Sequence, residues 1–367
     1  MDNINLIGPA IGEPAPGRPL PKIWLLSQGR RGDLDQMQAL AQALAWPTVT
    51  KTLAFRGPAI PALAPLLLKS GASDLMEPPW PDLIICAEAL ASVIAQRLRR
   101  LSGNRIKLVC LGRPAGSPRH FDLVLTTAQY RLPPAANTVE LALPLATMLV
   151  QAEVAGPVET PGPRPVIAVL VGGASFPDIL DQTATSKLAR DLNAYAAQKG
   201  GTLHVVTSPR TSSKVSGELQ AHVSSPHRVH IYGKAPDNPY RSTLAKADEV
   251  IVTSDSVSML ADALATQKPV QVYALPRSRS LVHAASEWCH RHVLDVTAVP
   301  LLLRPLAWLF DHGFVETTAD RHRLFDRLAA ERRIGWFGGA SPIVRTSSGP
   351  HDMATAVAKV KALFSLQ

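Results

Sequence analysis

The chain has 367 residues, 46% of them hydrophobic and only 18% charged, a balance that excludes a disordered or fibrous polypeptide and exceeds what one ordinary core supports. A formal net charge of +9 admits anionic partners such as nucleotides or acidic lipid headgroups, but no Lys/Arg-rich run with interleaved aromatics and no zinc-finger spacing occurs, so nucleic acid is not expected. The three cysteines are scattered, two of them inside the apolar runs "DLIIC" and "IKLVCLG", and read as free thiols of a reducing compartment; no apolar run of about 18 residues is present to span a membrane.

Residues 1–20 are rich in Pro and Gly, show no signal-peptide pattern, and read as a flexible arm on a cytoplasmic protein. From Lys22 short apolar strands alternate with helices: strand "IWLLS", helix "DLDQMQALAQALA", strand "TVTKTLA", strand "DLIIC", helix "ALASVIAQRLRRL", and strands "IKLVCLG" and "FDLVLTT". The segment "FRGPAIPALAPLLLKSG", 55 to 71, is apolar and Pro-rich with Arg56 and Lys69 at its ends; it fits either a buried helix or a rim that meets lipid. The stretch 155 to 166, "AGPVETPGPRPV", holds four prolines and no periodicity, and marks a linker. Beyond it the alternation restarts with "VIAVLVGG", "TSKLARDLNAYAAQKG", "TLHVVTS", "RVHIYG", "YRSTLAKA" and "DEVIVT". The expected organisation is an α/β first domain over 21–155, an α/β second domain over 156–340, and a C-terminal helix in 341–367, with ligands beyond the carboxyl ends of the strands.

Those strand ends carry the candidate site. After the first strand, "SQGRRGDLDQ" offers Gly29 and Gly32 for close backbone approach and Asp33 as a helix cap. Asp33 and Asp35 also spell D-x-D, but acids in a first helical turn are expected from the helix dipole, so no metal is expected. In the second half, Gly172, Gly173 and Ser175 end one strand, and Thr207, Ser208 and Arg210 end the next. Ser254, Ser256 and Ser258 end a third, at the start of a helix. Hydroxyls, backbone N–H groups and a cation at three equivalent strand ends are what a diphosphate requires.

The string "NPYRSTLAKADEVIVTSDSVSMLADALATQKPVQVY", with "TSPRT", "VGGAS" and "RLFDRLAAERRIGWFGG", resembles the ELM1 family of bacterial proteins and plant mitochondrial-fission factors. The resemblance runs from about Ile23 to about Gly339 and implies a GT-B-like architecture: two facing Rossmann-like domains with a cleft between them, similar to the lipid II-forming transferase of peptidoglycan synthesis. In such transferases a Glu in "E-A-x-x-x-G-x-P" takes the donor ribose; here "D-A-L-A-T-Q-K-P" carries Asp262, and Gln267 stands where Gly is usual. The resemblance also brings Asn238 of the "NPY" string into the donor site and returns the C-terminal helix to the first domain. The plant members are recruiters of a dynamin-like fission protein.

The leading expectation is a metal-independent glycosyltransferase with no cofactor beyond its nucleotide-sugar substrate. Its donor would lie in the second domain and its acceptor, lipid-linked or another glycan, in the first. Asp33, in preference to Glu88 or His120, would be the general base, and a lipid-linked acceptor would bring the protein to the inner face of the membrane. Two other classes stay open: a non-catalytic adaptor of the same shape, and a nucleotide-sugar 2-epimerase, which would need several acids and a His in the cleft.

Overall fold

The computed structural model describes residues 19–57, 60–69, 71–87, 89–145, 164–223, 225–234, 239–294, 299–315, 319–339 and 349–365. Most of the expected linker, and Glu88 and Asn238, lie outside them.

The first unit contains β1 (Ile23–Ser27), α1 (Arg31–Leu44), β2 (Thr48–Thr52), α2 (Ala64–Leu67), β3 (Leu83–Ala87), α3 (Ala89–Leu101), β4 (Lys107–Leu111), β5 (Leu123–Thr127) and β6 (Thr138–Leu141). Its six strands are parallel in the order β2-β1-β3-β4-β5-β6. β1, β3 and β5 are buried along their whole length, which is why they read as unbroken apolar runs instead of alternating ones. Side chains alternate between the faces, so Leu25, Ile85 and Leu125 pack with Met37 and Leu40 of α1, while Leu26, Ile84 and Val124 pack with Leu90 and Ile94 of α3.

The second unit contains β7 (Val166–Val171), α4 (Gln182–Lys199), β8 (Thr202–Thr207), α5 (Ser213–His222), β9 (Arg228–His230), α6 (Tyr240–Lys246), β10 (Glu249–Thr253), α7 (Val257–Ala265), β11 (Val270–Tyr273), α8 (Leu281–Cys289), α9 (Arg304–Asp311), α10 (Arg321–Ala330) and β12 (Gly335–Trp336). Its sheet, also parallel, runs β12-β11-β10-β7-β8-β9. Read from β9 and counted within the unit, that is the doubly wound dinucleotide-binding order, whose reversal point falls between β7 and β10. The first sheet reverses between β1 and β3. The architecture is therefore GT-B-like, two Rossmann-like units each with its own sheet and its own core.

The units meet at several places, one of them a polar seam. Arg131 reaches Glu287 of α8 at 3.4 Å and Asp320 at 3.7 Å. The Asp320 N–H donates to the Gln129 carbonyl at 2.8 Å, and Arg327 of α10 pairs with Glu140 of β6. A last helix, α11 (Gly349–Ser365), packs on the first unit: Ala356 and Val360 enter the α1 core, and the buried Asp352 carboxylate accepts the Ala142 and Leu143 N–H groups at 3.3 and 3.1 Å.

The segment 55 to 71 is neither a buried helix nor a long one. It forms a short helical turn in which Ala64 is buried and Leu66 is 81% exposed. The Ala62 N–H bonds the Gly313 carbonyl at 3.0 Å, which joins this turn to the end of α9.

Candidate functional site at the strand ends

The reversal point of the second sheet is built by side chains that bond one another. Thr253, the last residue of β10, accepts the Gly172 N–H at 3.0 Å. Asp255 Oδ2 accepts the Gly173 N–H at 2.7 Å. Both glycines are required there: a Cβ on Gly172 would overlap the Asp255 carboxylate, and one on Gly173 the backbone of Arg210. From the end of β8, Thr211 donates to the Gly172 carbonyl, Ser208 Oγ accepts the Arg210 N–H at 3.2 Å, and Thr207 Oγ1 accepts the Tyr232 N–H at 2.9 Å. The Arg210 guanidinium is half exposed and lies 3.9 Å from Asp255. Asp255 itself is buried, its Oδ1 has no hydrogen-bond partner among the described residues, and burial pushes its carboxyl above the usual range.

The three serines after β10 have different situations. Ser254 is fully buried, accepting the Leu275 N–H at 3.0 Å and donating to Asp178 at 3.3 Å, so its hydroxyl serves the loop. Ser256 is the N-cap residue of α7 in extended geometry, but its side chain makes no cap bond; its Oγ lies 3.5 Å from that of Ser258. The first N–H groups of α7 therefore have no side-chain cap, and a helix start of this kind suits an anion.

Behind this turn sits a cluster that periodicity could not reveal. The Asp178 carboxylate, wholly buried, is gripped by Arg321 at 2.8 Å and lies 3.2 Å from His322 Nε2. Arg321 also donates to the carbonyls of Ser175 and Phe176. Burial opposes the Asp178 charge, but the hydrogen bonds from His322 and Arg321 prevail and hold its carboxyl below the ordinary value. Ser175 is thus fixed through its backbone.

From the first unit, α1 comes up against α7. A Cβ on Gly32 would stand 3.3 Å from Ser258 Oγ, and Arg31 Nη1 is 3.4 Å from the Tyr232 hydroxyl. Arg30 occupies the N-cap of α1, so Asp33 is the third residue of the helix instead of its cap. Gly29 takes φ +84° in the preceding turn, with its N–H bonded to Ser27 Oγ at 3.1 Å. One turn further along α7, the Tyr240 hydroxyl donates to Asp262 Oδ2 at 2.9 Å. Burial, reinforced by the Asp35 charge on α1, pushes the Asp262 carboxyl up to about 6. Gln267 adopts φ +59°, the left-handed backbone that a glycine takes without strain.

Asp33 does not join the α7 cluster. It lines a separate cavity of about 20 Å³ over the carboxyl ends of β3 to β6, with Thr127, Gln129 and Tyr130. The described residues thus bring Gly172, Gly173, Ser208, Arg210 and Asp255 together at one sheet and Asp33 at the other, with Gly32, Ser258 and Asp262 at the meeting of the helices. Tyr240, Asp178, Arg321 and His322 are the members that strand-end reasoning missed; the "NPYR" string and the basic start of α10 were the marks of three of them in the sequence, while Asp255 lies in the "SDS" turn itself.

The family profile described as Mitochondrial fission ELM1 matches residues 31–289. The chain is 25% identical over 232 residues to the Mitochondrial fission protein ELM1 of Arabidopsis thaliana, covering 55% of this chain and 53% of that protein, and so spans about half of that relative's length. It is 23% identical over 309 residues to Uncharacterized protein RP120 of Rickettsia prowazekii (strain Madrid E), covering 71% and 85%. Among solved structures, similarity extends to UDP-GlcNAc 2-epimerase from Neisseria meningitidis bound to UDP-GlcNAc, at 10% identity over 94% of this chain and 100% of that one, TM-score 0.49. It extends also to Acinetobacter baumannii MurG, at 10% identity over 93% and 99%, TM-score 0.42. The architecture rests on the strand orders above and not on these likenesses.

Proposed function

The chain belongs to the Mitochondrial fission ELM1 family, and from that premise we propose that it is a metal-independent glycosyltransferase that binds a nucleotide-sugar in its second unit and passes the sugar to a hydroxyl held by the first. The observation that carries this reading is the reversal point of the second sheet, where the start of α7 has no side-chain cap, the preceding Asp255 bonds Gly173 of the paired glycines, and the half-exposed Arg210 lies 3.9 Å from Asp255. A diphosphate there accepts from the N–H groups of α7 and meets the Arg210 charge, which stabilises it further as a leaving group. Asp262 takes the ribose once Tyr240 and α1 yield its face, and Asp33 removes the acceptor proton.

An acceptor carried by lipid is supported by the rim. Leu66, Leu301 and Leu302 are 81%, 72% and 91% exposed, Trp308 and Phe314 of the α9 segment are exposed too, and so are the cations Arg56, Lys69 and Arg304 of the same two segments. Exposed apolar side chains accompanied by exposed cations suit an anionic bilayer surface. No helix among the described residues is long and apolar enough to cross a membrane.

One observation favours the second reading, a non-catalytic adaptor: Ser254, Ser208, Thr211 and Asp255 bond each other or nearby backbone, as a retired site would. Incubation with a panel of nucleoside diphosphate sugars without acceptor separates the two. A transferase hydrolyses at least one donor slowly, and Asp33→Asn stops it; an adaptor leaves every donor intact.

A further inference from the structure

The cavity at the first sheet has a feature that transfer to an unspecified hydroxyl does not explain. Thr127 ends β5, is 4% exposed, and its Oγ1 has no hydrogen-bond partner among the described residues. Strand alternation sets its direction: Leu125 belongs to the core under α1 and Val124 to the core under α3, so Thr127 faces α1, the helix that carries Asp33 and Gln36 into the same cavity. A buried hydroxyl without a partner is a cost to the fold unless something else bonds it.

The walls say what that something is. Ala87, Leu111, Leu125, Leu141 and Leu145 supply an apolar lining, and the charged residue among those that line the cavity is the acidic Asp33, so an anion meets a like charge at the wall. Tyr130 lies over Gly112, whose φ of +86° and lack of a Cβ leave room for the ring; an added Cβ would stand 2.9 Å from Tyr130 Cζ. Burial and the neighbouring Asp33 charge push the Tyr130 phenol well up, so it stays neutral and able to donate. The polar groups facing the space are thus one carboxylate that accepts and neutral groups that both donate and accept. A volume of about 20 Å³ admits one water-sized group.

We infer that this cavity binds a hydroxyl group of an uncharged, carbohydrate-type ligand, with Thr127 Oγ1 and Asp33 as its two hydrogen-bond partners. The inference rests on the reading of the first unit as the acceptor side and adds to it both the ligand class and Thr127 as a specificity-determining contact. The ligand hydroxyl donates to Asp33 and accepts from Thr127, which gives the buried Thr127 hydroxyl a partner.

Thr127→Val removes the hydroxyl at nearly constant volume, and Thr127→Ser restores it. Wild type and both variants are titrated with methyl α-glucoside and methyl N-acetyl-β-glucosaminide by saturation-transfer NMR, with inorganic phosphate as the anionic control. UDP affinity and melting temperature are measured on the same samples. The expected result is glycoside binding by the wild type and no phosphate effect. Thr127→Val then weakens the glycoside by about fivefold or more, while Thr127→Ser recovers it, and the Thr127→Val melting temperature is equal to or above that of the wild type. UDP affinity is the same in all three proteins, so a failure of the donor reading and a failure of this one are seen separately. Absence of glycoside binding to the wild type overturns the inference. Unchanged glycoside affinity in Thr127→Val overturns it too, as does a crystal grown with glycoside that shows only an ordered water bonded to Thr127.

Discussion

Tyr240 donates its hydroxyl to Asp262 at 2.9 Å, across the gap between α6 and α7, and the bond holds an acid whose burial disfavours its charge. The carboxyl rises from 3.8 to about 6, so between those values the native state holds a proton that the unfolded chain has released. Native stability from this group is greatest below the lower value and falls as pH rises through the higher one. Asp262→Asn keeps an acceptor for Tyr240 and removes the titration. Its stability relative to wild type, by urea denaturation, is expected to grow as pH rises from about 4 to about 6 and then to level off. The full change is about 3 kcal/mol. A flat difference across that range would contradict the burial argument.

Asp178 titrates in the opposite sense. Its hydrogen bonds to His322 and Arg321 hold the carboxyl below 3.8, so the stability it contributes is complete above that value and is lost as pH falls through the depressed one. Asp178→Ala leaves the Arg321 guanidinium, only 10% exposed, without its counter-charge. The expected loss is about 3–5 kcal/mol at neutral pH, measured by urea denaturation.

Glycines at the reversal point allow a third test. Gly173→Ala places a methyl group into the backbone of Arg210, and Gly172→Ala into the Asp255 carboxylate. Each is expected to cost about 1–3 kcal/mol in stability, as overpacking does. Gly217→Ala, where an added Cβ meets nothing within 4 Å, is the control and is expected to be neutral or slightly stabilising.

The rim between α2 and α9 makes a fourth. Co-sedimentation with anionic vesicles is expected to exceed that with neutral ones and to fall with added salt. Leu301→Ser with Leu302→Ser is expected to reduce partition by about tenfold or more, since both side chains stand almost entirely in water. Equal partition into neutral and anionic vesicles would contradict the role given to Arg56, Lys69 and Arg304.

The alternation of apolar runs with helical periodicity made the α/β class legible, because buried parallel strands such as "IWLLS" and "VIAVLV" have a signature that few other structures share. Gly172 and Gly173 were equally legible as places of close approach. The side-chain networks were not. Asp178 and Arg321 are 143 positions apart, and Tyr240 and Asp262 lie on separate helices, so no local pattern joins them. Asp33 has the residue type of a helix cap, but Arg30 takes that place because the turn at Gly29 lets α1 begin at Arg31, two residues before Asp33. The exposed leucines of 301 and 302 were invisible for a different reason: an apolar run reads the same whether it is buried or bare.

Isothermal titration of the wild type and Arg210→Ala with UDP, GDP and ADP tests for a diphosphate site at the start of α7. Saturable binding of at least one of them to the wild type is expected. Arg210→Ala is expected to weaken that binding by about 1.5–3 kcal/mol, the worth of hydrogen bonds to a charged group, without a change in melting temperature, because the Arg210 side chain is 50% exposed. No heat of binding from any nucleoside diphosphate, or equal affinity in Arg210→Ala, would contradict it.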